Sequence, residues 1–279
     1  MGKKPDWLKI KIPGGENYVK IKKLIDKYNL NTICSSGQCP NIAECWNAGT
    51  ATFMILGDTC TRNCKFCATN TGTPSIPDID EPLNIAKSVN LLKLKHCVIT
   101  SVTRDDLPDQ GAKHWAHTIL KIKELNPNTT CEVLIPDFSG NSSLIDLIIN
   151  AKPDIISHNL ETVKRLTPLI RNKAKYDTSL AVIKYISNNK ITAKSGIMIG
   201  MGETEDEIFD AFDDLLDNGC KILTIGQYLQ PSKNHWPVYK YYTPQQFSEL
   251  KEIALKKGFA LVESNPLVRS SYHAEKHLL

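Results

Sequence analysis

Apolar positions along the chain follow two alternating rhythms. Short runs rich in β-branched residues predict strands at Phe53–Gly57, Cys97–Val102, Cys131–Ile135, Asp154–Asn159, Thr192–Ile199 and Lys221–Tyr228, with a shorter one at Phe259–Glu263. Amphipathic stretches between them predict helices at Pro82–Leu92, Ala112–Leu125, Ser143–Asn150, Thr178–Asn188, Glu205–Asn218 and Pro244–Lys257, after an earlier one at Val19–Tyr28. Thr204 before the acidic turn Glu205–Glu207, and Thr243 before Pro244, are helix-start signals. Strand–helix repetition implies βαβ units and a parallel sheet. Six units with no G-x-G-x-x-G after the first strand favour an α/β partial (β/α)6 TIM-like barrel over a doubly wound sheet. The division expected is an N-terminal extension over 1–50, a barrel over 51–263 and a C-terminal tail over 264–279.

Composition narrows the class without naming it. The 41% apolar and 23% charged residues are ordinary for a globular protein. A net charge of +4 is too weak to argue for nucleic acid, and Lys3, Lys4, Lys9 and Lys11 read as a solvated surface. No apolar run approaches the roughly 18 residues of a membrane span. The lysines at the start lack the apolar core of a signal peptide, so a cytoplasmic protein is expected. In such a compartment nine cysteines are not a disulfide framework, and their spacing becomes the question. Six fall between Cys34 and Cys67, whereas Cys97, Cys131 and Cys220 lie apart on apolar runs and read as buried small hydrophobes.

Cys60-Thr-Arg-Asn-Cys64-Lys-Phe-Cys67 follows the first strand as C-x3-C-x2-C. Three soft thiolates on one loop suit an iron–sulfur cluster or zinc. A structural zinc would want a fourth ligand, and the next histidine, His96, falls on a predicted strand. Three ligands leave one metal position open for a cofactor or substrate, and a strand's C-terminal end is where barrels place chemistry. This spacing resembles the radical S-adenosylmethionine (radical SAM) enzymes. The resemblance implies that Cys60, Cys64 and Cys67 hold a [4Fe–4S] cluster whose open iron binds S-adenosylmethionine, with Phe66 near the adenine.

Upstream, Cys34-Ser-Ser-Gly-Gln-Cys39-Pro-Asn-Ile-Ala-Glu-Cys45 forms C-x4-C-x5-C, with a turn into a short helix expected after Pro40. On spacing alone, a zinc site or free thiols remain alternatives. Both triplets, together with Arg269-Ser270-Ser271-Tyr272-His273-Ala274 in the tail, resemble the lipoyl synthase family. Stretches at predicted strand ends agree: Thr100–Asp106, Ser157–Thr162, Lys194–Thr204 and Gln227–Ser232. Gln110, where glycine is expected, and the weakly charged Ser35-Ser36-Gly37 depart from the pattern without touching a ligand.

The resemblance implies a second, auxiliary [4Fe–4S] cluster on Cys34, Cys39, Cys45 and the Ser271 hydroxyl. It implies a sulfurtransferase that inserts two sulfur atoms into an octanoyl chain by radical chemistry, the auxiliary cluster being the sulfur donor. The octanoyl group would be carried on a lysine of a lipoyl domain or glycine-cleavage-type carrier protein, and the electron would come from a donor such as ferredoxin or flavodoxin. Asn159 and Glu161 are candidates for the ribose or amino group of S-adenosylmethionine, or equally a helix N-cap with acid in its first turn. Arg269 is a candidate to orient the tail, or a surface arginine; Arg104, Asp105 and Asp106 could be a loop ion pair. Arg171 is a candidate to meet a carboxylate, or only solvent, and His158 and His273 carry no assigned role. A biotin synthase-like enzyme would share the first triplet but not the second, and a zinc-stabilised module would hold no iron.

Overall fold

The computed structural model describes residues 4–10, 14–48 and 50–278. Lys3 and Lys11 lie outside the described residues. Two compact bodies divide the chain.

The first body comprises Lys11–Asn63, Ala68–Ile156 and His273–Leu279. Helix α1 (Glu16–Lys27) buries Ile21 and Leu24 at helical spacing. Strand β1 (Asn31–Thr32) runs into helix α2 (Ile33–Ser36), whose first turn is capped by Thr32 Oγ1 accepting from the Ser35 N–H at 3.3 Å. The short helix expected after Pro40 is α3 (Ile42–Asn47). Strand β2 (Thr52–Ile55) is buried at every position, as a strand covered on both faces must be. Strands β3 (Thr59–Cys60) and β4 (Asn70–Thr71) form a two-residue parallel ladder at the base of the cysteine loop. Then come α4 (Glu81–Leu91), β5 (His96–Ser101), α5 (Ala112–Leu125), β6 (Thr130–Leu134) and α6 (Ser142–Asn150). β1 is antiparallel to β2, while β2, β5 and β6 are parallel, with Thr52 opposite Val98 and Cys97 opposite Cys131.

Strand β7 (Ile155–Ser157) ends with the first residue of the second body's main span, Ser157–Tyr272. That body, which also includes Cys64–Cys67, carries α7 (Thr167–Ile170), α8 (Tyr176–Asn188), β8 (Thr192–Ile199), α9 (Glu205–Asp217), β9 (Ile222–Gln227), α10 (Pro244–Lys257) and β10 (Leu261–Asn265). β8, β9 and β10 are parallel neighbours, with Ile222 facing both Lys194 and Leu261. Thr204 and Thr243 both close capping boxes, with Glu207 and Gln246 respectively, so the helix-start signals were physical ones.

Boundaries shift where tertiary contacts compete. The strand expected over Asp154–Asn159 is only Ile155–Ser157; the chain then leaves the ladder and re-pairs once, Glu161 opposite Ile197. The last strand begins at Leu261 instead of Phe259, whose ring packs edge-on against Phe212 at 6.1 Å. Gln110 takes a left-handed φ of +48°, which explains why glycine was the residue expected there.

Candidate active site

In the first body the upstream cysteines share one small core. Cys34, Trp46, Ile21 and Ala51 are buried together, with Cys39, Cys45, Tyr18 and Ile42 packed against them. Burial, and then the neighbouring Cys39 thiol, push the Cys34 thiol up to about 11. Burial pushes Cys45 up to about 12, with Cys39 and Cys34 adding to the shift. The three sulfurs are therefore close enough to act on one another electrostatically, and none of the nine cysteines is in a disulfide. Such thiols ionise when a metal takes the place of their protons.

Among the described residues, no three His, Cys, Asp or Glu side chains are close enough to hold a single metal ion. A cubane cluster differs, because each thiolate ligates a separate iron and the ligands stand wider apart. Three converging soft donors without a disulfide fit such a group.

Cys60, in the same body, accepts the backbone N–H groups of Arg62 and Thr103 at 3.4 Å each. Between the cysteines, the buried Arg62 clamps two carboxylates, Asp105 at 2.8 and 2.9 Å and Asp137 at 2.7 and 2.8 Å. Burial opposes the guanidinium's charge, but these bonds hold its pKa above the ordinary arginine value. Asp105 and Asp137 follow β5 and β6, so one side chain ties the cysteine loop to two strand ends. Arg62→Met, which leaves Asp137 buried beside an apolar chain, is expected to cost about 3–5 kcal/mol in denaturant unfolding. The expected Arg104–Asp106 ion pair is present at 2.9 Å. Asp105 instead belongs to Arg62, a partner 43 positions away.

The second body holds the other half of the cysteine loop. The Cys67 N–H donates to the Cys64 carbonyl at 3.0 Å, and the Cys67 carbonyl lies 3.0 Å from His235 Nε2. A carbonyl only accepts, so Nε2 carries the proton and Nδ1 accepts from the Ser232 hydroxyl at 2.8 Å. Next to it, the Trp236 N–H donates to the Lys65 carbonyl at 2.8 Å, and the Lys65 ammonium lies 5.4 Å from the Trp236 ring centre. Phe66 is half-buried on this loop. His235 was not singled out from sequence; the Gln227–Ser232 stretch just before it was the available signal. His235→Ala removes two ordinary hydrogen bonds, of which the one to the Cys67 carbonyl holds the loop, so a chelator should strip iron from the reconstituted protein roughly fivefold faster.

Asn159, Glu161 and Arg171 also stand together in this body. No helix begins at Asn159, so the N-cap alternative is excluded. Glu161 is at φ +70°, a conformation that a non-glycine residue adopts at a cost. Asn159 Nδ2 donates to Glu161 Oε1 at 3.2 Å, while Asn159 Oδ1 is buried without a partner. Burial raises the Glu161 pKa, opposed by Arg171, Asn159 and Arg269. Arg171 does not meet solvent: it is buried, with NH1 donating to the Leu160 carbonyl at 3.0 Å and lying 3.3 Å from Ser179 Oγ. Glycine at 196 keeps room here, since a Cβ would approach Asn159 Oδ1 to 3.0 Å and Thr224 Oγ1 to 2.5 Å. Arg269 NH1 donates to the Val268 carbonyl at 2.6 Å, and Ser271 follows on the same tail. His158 is buried against Ser179 Oγ at 3.0 Å, and His273 lies 3.3 Å from Glu275. Cys97, Cys131 and Cys220 are each at most 1% exposed, as expected of small core residues.

Residues 54–215 match the radical SAM superfamily, and residues 2–39 match the N-terminal domain of lipoyl synthase of that family. A lipoyl synthase from Phocaeicola vulgatus is 63% identical over 99% of this chain and 97% of its own. The chain belongs to the lipoyl synthase family. Another lipoyl synthase, from Bacteroides thetaiotaomicron, is 61% identical over 99% of this chain and 98% of its own. Among solved structures, methylornithine synthase (PylB) is similar at a TM-score of 0.57 and 11% identity, over 89% of this chain and 79% of that one. That likeness speaks for the fold alone, a mostly parallel α/β arrangement of the partial TIM-like barrel kind. A lipoyl synthase is a radical SAM sulfurtransferase that works with S-adenosylmethionine and [4Fe–4S] clusters, which removes both the zinc module and the biotin synthase-like alternative.

Proposed function

We propose that this chain inserts two sulfur atoms into the octanoyl chain carried on a lysine of a lipoyl domain or a glycine-cleavage-type carrier protein. In this reading Cys60, Cys64 and Cys67 hold the cluster that binds S-adenosylmethionine. Cys34, Cys39 and Cys45, with the Ser271 hydroxyl, hold the auxiliary cluster that donates sulfur. When bound, these groups supply what side chains lack: a radical able to take hydrogen from an unactivated alkyl carbon, and sulfur to replace it.

The protein's own part is positioning. The N–H groups of Arg62 and Thr103 support the Cys60 thiolate, and His235 fixes the backbone at Cys67. Asn159 offers a buried oxygen still in need of a donor, and Glu161 offers a carboxylate, a pair suited to the ribose hydroxyls and amino group of S-adenosylmethionine. Phe66 presents a face for the adenine, and Arg269 orients the tail. An oxygen ligand at Ser271 binds iron less firmly than a thiolate, which suits a cluster that is consumed. The extension 1–50 thus carries the donor site, 51–263 the radical barrel and 264–279 the last ligand.

The observation that carries this reading is the convergence of three upstream thiols, Cys34 buried and Cys39 and Cys45 partly so, in a chain 63% identical to a lipoyl synthase. None of the nine cysteines is in a disulfide, which suits a reducing cytoplasm, and a low-potential donor such as ferredoxin or flavodoxin would supply the electron. Among the described residues no helix is long and apolar enough to cross a membrane. The test is anaerobic incubation of reconstituted protein with reductant, S-adenosylmethionine and an octanoylated carrier peptide. Mass spectrometry should find two sulfurs added to the peptide; cleavage of S-adenosylmethionine with an unmodified peptide would refute the reading.

A further inference from the structure

Trp46 follows Cys45 at the end of the upstream triplet and is only 3% exposed. Its indole N–H can only donate, and a buried donor without an acceptor is costly. Yet Trp46 Nε1 is buried with no hydrogen-bond partner. The shell around the ring explains why. Tyr18 meets it ring to ring at 4.9 Å, and Ile21, Ile42 and Ala51 are apolar. Ile25 and Leu92 of the same cluster are apolar too, and its other members carry sulfur: Cys34, Cys39 and Cys45. Of these, Cys34 is the one buried together with Trp46 at the centre of the cluster, whereas Cys39 and Cys45 are only partly buried.

We propose that Trp46 is a positioning residue for the auxiliary cluster, its indole N–H donating to the Cys34 sulfur once that sulfur is a cluster ligand. The inference rests on the reading that the upstream triplet holds a cluster. A neutral thiol is a poor acceptor and leaves the indole orphaned; an iron-bound thiolate is a good one, so loading the site satisfies the buried donor. Hydrogen bonds to ligand sulfur stabilise the reduced cluster and raise its potential. The same bond slows departure of the Cys34-bound iron, which would direct disassembly toward the corners that lack it.

The test uses the full chain with Cys60, Cys64 and Cys67 all replaced by alanine, so that only the upstream site can be loaded. Trp46→Phe keeps an aromatic ring and removes the N–H. The variant should retain its cluster but show a more negative reduction potential, roughly fivefold faster iron loss to a chelator, and loss of the strongest exchangeable-proton coupling in the reduced cluster's magnetic resonance spectrum. If Trp46→Phe disturbs packing, benzothienylalanine at position 46 keeps the bicyclic shape without the donor and should give the same three changes. An intact cluster with potential, release rate and proton coupling all unchanged in the benzothienyl variant would overturn the proposal. If the chain with Trp46 intact bound no iron at all, the cluster assignment itself would fall, which is a different result from an insensitive cluster.

Discussion

Cys60→Ala is expected to abolish cleavage of S-adenosylmethionine, with 5′-deoxyadenosine formation falling at least about 10³-fold. No acid, base or nucleophile in the chain offers a detour, because cleaving the C–S bond to a radical takes an electron, and an unactivated alkyl carbon has no acidic proton or leaving group for them to act on. The loop's other supports do not replace the missing ligand. Arg62 and Thr103 would still present their N–H groups, but to a methyl group instead of a sulfur. Iron content should fall from about eight to about four atoms per chain, because the upstream triplet keeps its own cluster. Chromatography of the nucleoside product and an iron assay read both outcomes, and sustained cleavage in the variant would remove Cys60 from the site.

Cys34→Ala should divide the reaction where Cys60→Ala stops it. The upstream triplet lies on α2, α3 and the turn between them, apart in sequence from the loop proposed to bind S-adenosylmethionine. Iron should again fall to about four atoms per chain, while nucleoside formation stays within about threefold of the parent, less than 1 kcal/mol of barrier. Sulfur on the carrier peptide should drop below detection, because its donor is gone. Truncating a buried cysteine in an apolar cluster also costs some stability, so a thermal melt belongs beside the assay. Equal loss of both activities in a folded variant would argue against separate roles for the two triplets.

Much of this was legible in the sequence, for identifiable reasons. Helices α5 and α10 run from Ala112 to Leu125 and from Pro244 to Lys257 as predicted, since fourteen residues each give the 3.6-residue period room to show. Short pieces were not legible: β1, α2 and α7 are two to four residues long, and their form is decided by partners, not by local preference. The cysteine ligand candidates could be read because metal chemistry fixes residue type and spacing together. Their supports could not. Arg62 meets Asp137 across 75 positions and His235 meets Cys67 across 168, and no spacing rule reaches that far. Asn159 and Glu161 fall between these extremes. The sequence put both after a strand, but only the path of the chain, in which no helix begins at Asn159, removes the helix cap.

In the proposed reaction the upstream triplet's cluster is the source of the sulfur that reaches the substrate. This is tested most directly by reconstituting the full chain with heavy-isotope sulfide, removing free sulfide, and running a single turnover on an octanoylated carrier peptide. Both sulfurs on the peptide should be heavy, with heavy sulfide lost from the protein in step. A peptide carrying light sulfur, with the labelled clusters still whole, would contradict it.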